Sequence, residues 1–335
     1  MNGIQHTATR KDVAREAGVS ETIVSYVLNN NRPVSAEKRQ RVLDAVRKLN
    51  YRPNAIARAL KGKGNSHILF IADNIATEYF ARLIQELNAI AYDRGYIVSL
   101  METVNSEEFV SRILSRQVDG VVISSTALND SYIQALIDSG LPTVLLMVRD
   151  YEALTGRFAR IYTGIEEGIA AAVDYMLKEN RQEIVYVDRV SANHHFSDLR
   201  DPRYRGFTQQ MNKAGITPLY RNYITGCRNM DDLYAAVTEY VTELDADSFI
   251  CRNDRIACTV LRAVRDSGRQ VPRDVAVIGF DDSELARFSS PQLSSIRHDQ
   301  KHIAAAILSQ LEALIAGKSP KDKRYNTKLI LRETT

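Results

Sequence analysis

Cysteine is scarce. The 335-residue chain has three, Cys227, Cys251 and Cys258. They are too few for a disulfide framework and lack metal-ligand spacing. The expected setting is reducing and cytoplasmic. Long apolar runs are also missing: no stretch approaches the ~18 residues that span a bilayer. The segment Met1 to Arg15 is polar and has no apolar core region, so no secretory signal is expected. His-Glu-x-x-His, phosphate-loop and Gly-x-Ser-x-Gly patterns are absent. The chain is therefore expected to use no metal and no cofactor, and to touch no membrane.

What is present points to a globular protein. Hydrophobic residues make up 44%, enough to build cores and to exclude disorder. The length fits two domains, or two and a small one. The net charge of +3 conceals an asymmetry. Residues 1–64 hold 13 Lys and Arg against 5 Asp and Glu, a surplus of +8. The other 271 hold 31 against 36, or −5. A small basic head on a large acidic body suggests a nucleic-acid module in front of a separate domain.

The head has helical order. Val13, Ala14 and Ala17 recur at helical spacing over Arg10–Ala17. Gly18 suits the left-handed residue that ends a helix. Ser20 can cap the next helix, about Glu21–Leu28, which would bury Ile23, Val24, Val27 and Leu28. A third helix, from Ser35 to about Leu49, would bury Val42, Leu43, Val46 and Leu49. Two helices joined by a three-residue turn, then a supporting helix, is the helix-turn-helix plan. In that plan the second helix enters the major groove, which puts Glu21, Thr22, Ser25 and Tyr26 against base edges. The alternative is an ordinary three-helix cap. Arg10, Arg32, Lys38 and Arg41 are placed to meet phosphates.

After Pro53, residues 55–61 form a short apolar-sided helical run, too short to be stable alone in water. The segments Lys11-Asp12-Val13-Ala14-Arg15-Glu16-Ala17-Gly18-Val19-Ser20, Val24-Ser25-Tyr26-Val27-Leu28-Asn29 and Tyr51-Arg52-Pro53-Asn54-Ala55-Ile56-Ala57-Arg58-Ala59-Leu60 resemble the lactose-repressor/purine-repressor family of bacterial regulators. The resemblance implies a hinge helix that pairs across a dimer in the minor groove. Asn54, Ala57 and Leu60 would contact DNA there, with Leu60 as the wedge that bends it. One position departs from the pattern: Tyr26 stands where the family often carries Arg. Tyrosine cannot make arginine's bidentate contact to guanine.

The body reads as two related halves of alternating strands and helices. Expected strands include His67–Asp73, Tyr96–Met101, Gly120–Ser124, Pro142–Met147, Glu183–Asp188, Ser248–Cys251 and Val275–Phe280. Expected helices include Phe80–Arg94, Gly168–Lys178, Arg205–Ala214, Ile256–Ser267 and Ala304–Ala316. Such alternation implies doubly wound parallel sheets, with a ligand cleft outside the carboxyl ends of the strands. The expected fold class is thus α/β: a helix-turn-helix head and a two-lobed doubly wound body. The expected division is 1–50 for the head, 51–64 for hinge helix and linker, and 65–335 for ligand binding and dimerisation.

The body matches the same family through Arg203-Tyr204-Arg205-Gly206-Phe207, Cys251-Arg252-Asn253-Asp254-Arg255-Ile256-Ala257 and Val271–Asp282 with Ser290–Ile296. The resemblance implies a fold like that of periplasmic sugar-binding proteins and an effector held by Arg203, Asn253 and Asp281. Their guanidinium, amide and carboxylate suit vicinal hydroxyls, as on a sugar or related metabolite. Asp73, Tyr79 and Phe80 are further candidates near strand ends. Structural roles compete for each. Asp73 could brace a loop, and Tyr79 and Phe80 could pack in the core. Arg203, on the loop before the Gly206-Phe207 helix, could pair with Asp201 at the surface. Asp281 and Asp282 could cap the helix Ser283–Phe288, and Asp254 suits a structural role at its helix start.

Thr163-Gly164 and Asn180-Arg181 replace the family's usual Asp-Asn and Gly-His. The loop Ser191–Pro202 carries adjacent His194 and His195, which point to different sides and cannot share a metal. The function that fits is a sequence-specific transcription regulator, a repressor, controlled by a small-molecule effector. Its partners would be a pseudo-palindromic double-stranded DNA operator, the effector, and a second copy in a homodimer or tetramer. A soluble ligand-binding protein without a regulatory role would need no basic head. An enzyme would need a nucleophile and base, and adjacent Asp281-Asp282 alone does not supply them.

Overall fold

A computed structural model describes residues 8–51, 65–151 and 153–335. The chain divides into two compact units, Met1–Asn65 and Ser66–Thr335.

The first unit contains α1 (Arg10–Ala17), α2 (Glu21–Asn29) and α3 (Ala36–Lys48). The Thr9 hydroxyl accepts from the Asp12 amide, and the Asp12 carboxylate accepts from the Thr9 amide, a reciprocal capping box that fixes where α1 starts. Gly18 ends it at φ +64°, a conformation that costs other residues a Cβ clash. Ser20 accepts from the Ile23 amide to start α2, and Ser35 accepts from the Lys38 amide to start α3. Val13, Ala14, Ala17, Val24, Val27, Val42, Ala45 and Tyr51 form the core. Leu43, expected to face inward, is 38% exposed. Ala45 is buried on the inner stripe beside Val42. The hinge run 55–61, with Asn54, Ala57 and Leu60, lies outside the described residues.

The second unit holds two six-stranded sheets. The first lobe has β1 (His67–Ala72), β2 (Ile97–Glu102), β3 (Gly120–Ser124), β4 (Thr143–Leu146), β5 (Ala159–Tyr162) and β11 (Lys323–Arg324), ordered β11-β5-β4-β3-β1-β2. The second has β6 (Ile184–Val187), β7 (Tyr223–Ile224), β8 (Ser248–Cys251), β9 (Ala276–Phe280), β10 (Ser294–Arg297) and β12 (Lys328–Ile330), ordered β12-β10-β9-β8-β6-β7. The central strands are covered on both faces, which is why they read as continuous apolar runs. On one face of the first sheet, Ile68 and Phe70 pack with Leu83 and Leu87 of α4 (Glu78–Asp93) and Ile307 and Leu311 of α12 (Gln300–Ile315). On the other, Leu69 and Ile71 meet Phe109 and Ile113 of α5 (Glu107–Leu114) and Ile133 and Leu136 of α6 (Asp130–Asp138). The second lobe repeats this. Tyr186, Ile250 and Ile278 pack under α7 (Ile165–Lys178) and α8 (Pro202–Lys213). Val185, Phe249 and Val277 pack under α9 (Met230–Thr242) and α10 (Asp254–Asp266). A short α11 (Glu284–Phe288) follows β9.

The chain passes between lobes three times: from β5 to α7, from β10 to α12, and from β11 to β12. The crossings are bonded to one another. The Thr327 hydroxyl donates to the Gly164 carbonyl at 2.9 Å, and His298 Nδ1 lies 3.1 Å from the Thr163 carbonyl. A Cβ on Gly164 would come within 2.5 Å of the Tyr325 carbonyl oxygen. This approach, and a φ of +75°, explain a glycine at that crossing.

Several helices start earlier than expected. Asp201 caps α8 and Pro202 opens it, so Arg203 stands in its first turn rather than on a preceding loop. Asp299 caps α12 at Gln300, four residues before the expected start at Ala304. Neither Asp281 nor Asp282 caps α11, since Ser283 occupies that position. The strands β5, β10, β11 and β12 were not expected.

Candidate functional site

Glu21 and Thr22 open α2 and are exposed, while Ser25 and Tyr26 follow on the same helix, half-buried. Their amide ends and the positive end of the helix dipole suit a polyanion. The Arg32 guanidinium lies over the Tyr26 ring at 5.3 Å from its centre, within cation–π reach. The arginine is therefore coupled to Tyr26. Lys38 and Arg41 are exposed on α3, and Arg10 is half-buried at the start of α1.

The second candidate region lies between the lobes, beyond the carboxyl ends of both sheets. There the structure gathers Tyr79, Arg203 and Asp281. The Arg203 guanidinium stacks on the Phe280 ring at 4.6 Å. His298 lies 4.9 Å from the Tyr79 ring and 5.1 Å from Phe280, centre to centre. Asp281 Oδ1 is 3.8 Å from His298 Nε2. Burial pushes the Asp281 carboxyl up to about 7 against the pull of Arg203. Burial and the Arg203 charge push His298 down to about 3. Burial also raises the Tyr79 phenol, aided by Asp281. Asp281 has φ +97°, a strained conformation of the kind that concentrates at ligand sites.

Other candidates sit apart from this cluster. Asp73 binds its own lobe: it accepts from the Ser125 hydroxyl and, at 2.6 Å, from the Thr126 amide. The Asn253 side-chain oxygen accepts from the Ile256 amide at 2.9 Å and caps α10. Phe80 meets the cluster only through Tyr79, edge-on at 5.0 Å, and otherwise packs toward the first lobe's core, 6.0 Å from Phe70. The expected surface pair of Arg203 with Asp201 does not form. Asp201 is buried, accepts the Arg203 backbone amide, and pairs with Arg189 at 2.6 Å and Arg252 at 2.8 Å. Asp282 is a buried ion-pair centre for Arg332, Arg297 and Arg287. Burial acts to raise its carboxyl, and Arg332 and Arg297 hold it low instead. Asp254 accepts from the Ser283 amide and hydroxyl and from the Ser295 hydroxyl. It is a structural centre beneath Gly279, where an added Cβ would strike its carboxylate.

Side chains reach across the cleft on both sides. Arg189 Nη1 of the second lobe donates to the Thr126 hydroxyl of the first at 2.8 Å. Arg205 pairs with Asp150 at 2.6 Å. Arg82 donates to the Asp282 carbonyl at 2.9 Å. A cavity of about 490 Å³ opens beside the Arg189–Thr126 contact, lined by Asn105, Arg149, Arg189, His195 and Phe196 among others. Arg203 Nε and His298 Nε2, in the cluster with Asp281, are buried and have no hydrogen-bond partner, as are Arg189 Nε, Thr163 Oγ1 and the Oη of the core residue Tyr186. Among the described residues, no group of three His, Cys, Asp or Glu could hold a metal. No helix among them is long and apolar enough to cross a membrane.

A helix-turn-helix head and a two-lobed body with a polar cleft define a ligand-responsive DNA-binding regulator. Comparison with known proteins agrees. Residues 9–54 match the model of the bacterial regulatory proteins, lacI family, and residues 173–335 match a periplasmic binding protein-like domain. The chain is 30% identical over 318 residues to the HTH-type transcriptional repressor PurR of Pasteurella multocida, covering 93% of each. It is 29% identical over 335 residues to PurR of Photobacterium profundum, covering 98% of each. The lac repressor dimer bound to operator and the anti-inducer ONPF superposes with a TM-score of 0.81 at 25% identity, over 98% of this chain and 99% of that one. The chain belongs to the lacI family of bacterial regulatory proteins. It is a DNA-binding transcription regulator, and its relatives are repressors rather than enzymes.

Proposed function

We propose that this chain is a cytoplasmic repressor that binds a two-fold operator as a homodimer and is switched by a small-molecule effector held between its lobes. Division at 1–50, 51–64 and 65–335 assigns DNA reading, hinge and effector control to separate segments. In the head, Glu21, Thr22, Ser25 and Tyr26 read the major groove while Arg32 joins phosphate contacts. Asn54, Ala57 and Leu60 of the hinge run enter the minor groove. Tyr79, Arg203 and Asp281 hold the effector, with Asp73, Phe80 and Asn253 shaping its surroundings.

One observation carries the effector reading. Buried polar atoms are almost always paired, and an empty one costs about 1–3 kcal/mol. Arg203 Nε and His298 Nε2 lie unpaired beside Asp281, as expected where a polar ligand completes the site. An angular change between the lobes would decide whether two hinge segments can pair, a shift between DNA-competent and incompetent states. Dimerisation has apolar surface to use. Ile97 and Leu100 are exposed on β2, an edge strand, and Leu285 and Phe288 are exposed on α11.

The test is a mobility-shift titration against DNA selected from a random pool, at two salt concentrations. A specific two-fold site should emerge, with affinity falling steeply as salt rises. Leu60→Ala should lower specific affinity and leave non-specific binding unchanged. Absence of a selectable site, or salt-independent binding, contradicts the reading.

A further inference from the structure

A second cavity, of about 430 Å³, takes all of its lining from the second lobe. Cys258, Leu261, Arg262 and Arg265 form one wall, at the spacing that sets side chains on one face of α10. Arg269 and Val271 come from the loop after α10, and Pro291 from the loop after α11. Three guanidiniums therefore line the space and, among the described residues, no carboxylate does. That stands out in a body whose own charge is acidic, with 36 Asp and Glu against 31 Lys and Arg.

The carboxylates around the rim leave the three arginines under-paired. Asp266 accepts from the Tyr234 hydroxyl at 3.0 Å and lies 3.4 Å from both Arg262 Nε and Arg265 Nε. Both arginine contacts are longer than the roughly 2.7–2.9 Å of a charge-assisted hydrogen bond. Arg269 pairs with Asp245 at 3.0 Å, but that carboxylate is 83% exposed, and exposed pairs hold weakly. Leu261, Val271 and Pro291 give the same space an apolar side.

We propose that this cavity is a binding site for a phosphate monoester, its phosphoryl group held by Arg262, Arg265 and Arg269 and its organic part laid on Leu261, Val271 and Pro291. A phosphoryl group has three terminal oxygens, which match the paired N–H donors of guanidinium. The volume exceeds what a bare phosphate fills and falls within the roughly 300–1,000 Å³ of small-molecule sites. The site shares no residue with the Tyr79, Arg203 and Asp281 cluster and does not depend on the effector reading.

Cys258 supplies the reporter. Cys227 and Cys251 are buried, whereas Cys258 is half-buried at the cavity. Burial raises its thiol, so the full chain is alkylated with neutral iodoacetamide at alkaline pH, and peptide mapping follows each cysteine. The basic head also attracts phosphates, and a reporter inside the cavity separates the two sites. With phenyl phosphate at about ten times its midpoint, alkylation of Cys258 should slow about tenfold. Phenol should not protect, and inorganic phosphate should protect only at higher concentration. Arg262 and Arg265 are exposed, so the double variant Arg262→Gln, Arg265→Gln should melt as the wild type does. Its midpoint for phenyl phosphate should rise about tenfold or more, the loss of charged hydrogen bonds. Equal protection by phenol and phenyl phosphate, or a midpoint unmoved in the double variant, overturns the assignment. So does a Cys258 that alkylates no faster than Cys227 when no phosphate is present, because a second copy then covers the cavity. Inorganic phosphate as effective as phenyl phosphate would mean an adventitious ion only, and overturns the ligand class.

Discussion

The Arg189 guanidinium and the Thr126 hydroxyl meet across the cleft at 2.8 Å, each already committed within its own lobe. Thr126 donates to Asp73 at 2.9 Å, and Arg189 pairs with Asp201 at 2.6 Å. Arg252 joins Asp201 to Asp188 below. The result is an unbroken polar chain from Asp73 in one lobe to Asp188 in the other.

Thr126→Val keeps the side-chain shape and removes the shared hydroxyl. Urea denaturation should show a loss of about 1 kcal/mol, the net worth of such a bond. Amide exchange should quicken across 125–131 and 197–201. Unchanged exchange in both loops would mean that the bridge carries no weight in solution.

Ser20→Ala removes the hydroxyl that accepts from the Ile23 amide. The helix that reads DNA should lose about 0.5–2 kcal/mol of local stability. Hydrogen exchange at the first amides of α2 should rise, and operator affinity should fall with it. The melting of the lobes should not move, because the core of the head is its own.

Tyr26→Arg restores the residue type that pairs bidentately with guanine. Selection from random DNA should then yield a site with guanine at one symmetric pair of positions, favoured by about 1–3 kcal/mol. The substitution also breaks the Arg32 stacking contact, so salt dependence should steepen as Arg32 is freed for phosphate. An unchanged selected site would show that position 26 does not read bases.

Asp281 titrates near 7 in the folded chain against 3.8 in its ordinary state. A raised carboxyl binds a proton in the native state that the unfolded chain has already lost. Its stabilising contribution is complete below the unfolded value and is lost as pH rises through about 7. Between pH 6 and pH 8 the wild type should lose about 1 kcal/mol relative to Asp281→Asn. The groups that face Asp281, namely Arg203, Asp254, Arg252 and Glu78, are common to both proteins, as is His298. Parallel stability profiles across that range would place the carboxyl in water.

Much of the fold was legible because buried parallel strands announce themselves. The segment Ile68–Ala72 is apolar without interruption, and the Gly18 and Ser20 punctuation of the head holds in the structure. What escaped reading depends on distant partners. The strand β10 carries Ser294 and Ser295, whose polarity hides a strand; both are buried because Thr334, Thr335 and Asp254 bond them. The strands β11 and β12 are two and three residues long and exist only by pairing with β5 and β10. The early start of α8 did have a local sign in Asp201-Pro202, a cap followed by a first-turn proline.

Of the candidate effector residues, Tyr79, Arg203 and Asp281 come together in the structure. No local pattern marks His298. Its neighbours in sequence, Arg297 and Asp299, are exposed, and it is packed by Phe280 together with Tyr79 and Thr163 from distant parts of the chain. Arg189 and Arg252 were likewise hidden, since an arginine at a strand end reads as solvated until its carboxylates are known.

The three passages between lobes also govern how the protein is made. The head is complete once about 51 residues have left the ribosome, and it can fold at once. The first lobe has no such freedom. Its helix α12 and strand β11 are encoded at 300–324, after nearly all of the second lobe. Until they emerge, Ile68, Phe70 and Leu83 lack the part of their cover that α12 supplies, and the nascent chain presents apolar surface that chaperones would bind. The two lobes must therefore finish together, late in synthesis, while a DNA-reading module already hangs folded at the front. A message truncated before codon 300 would yield a head that can touch DNA without a body that can be controlled.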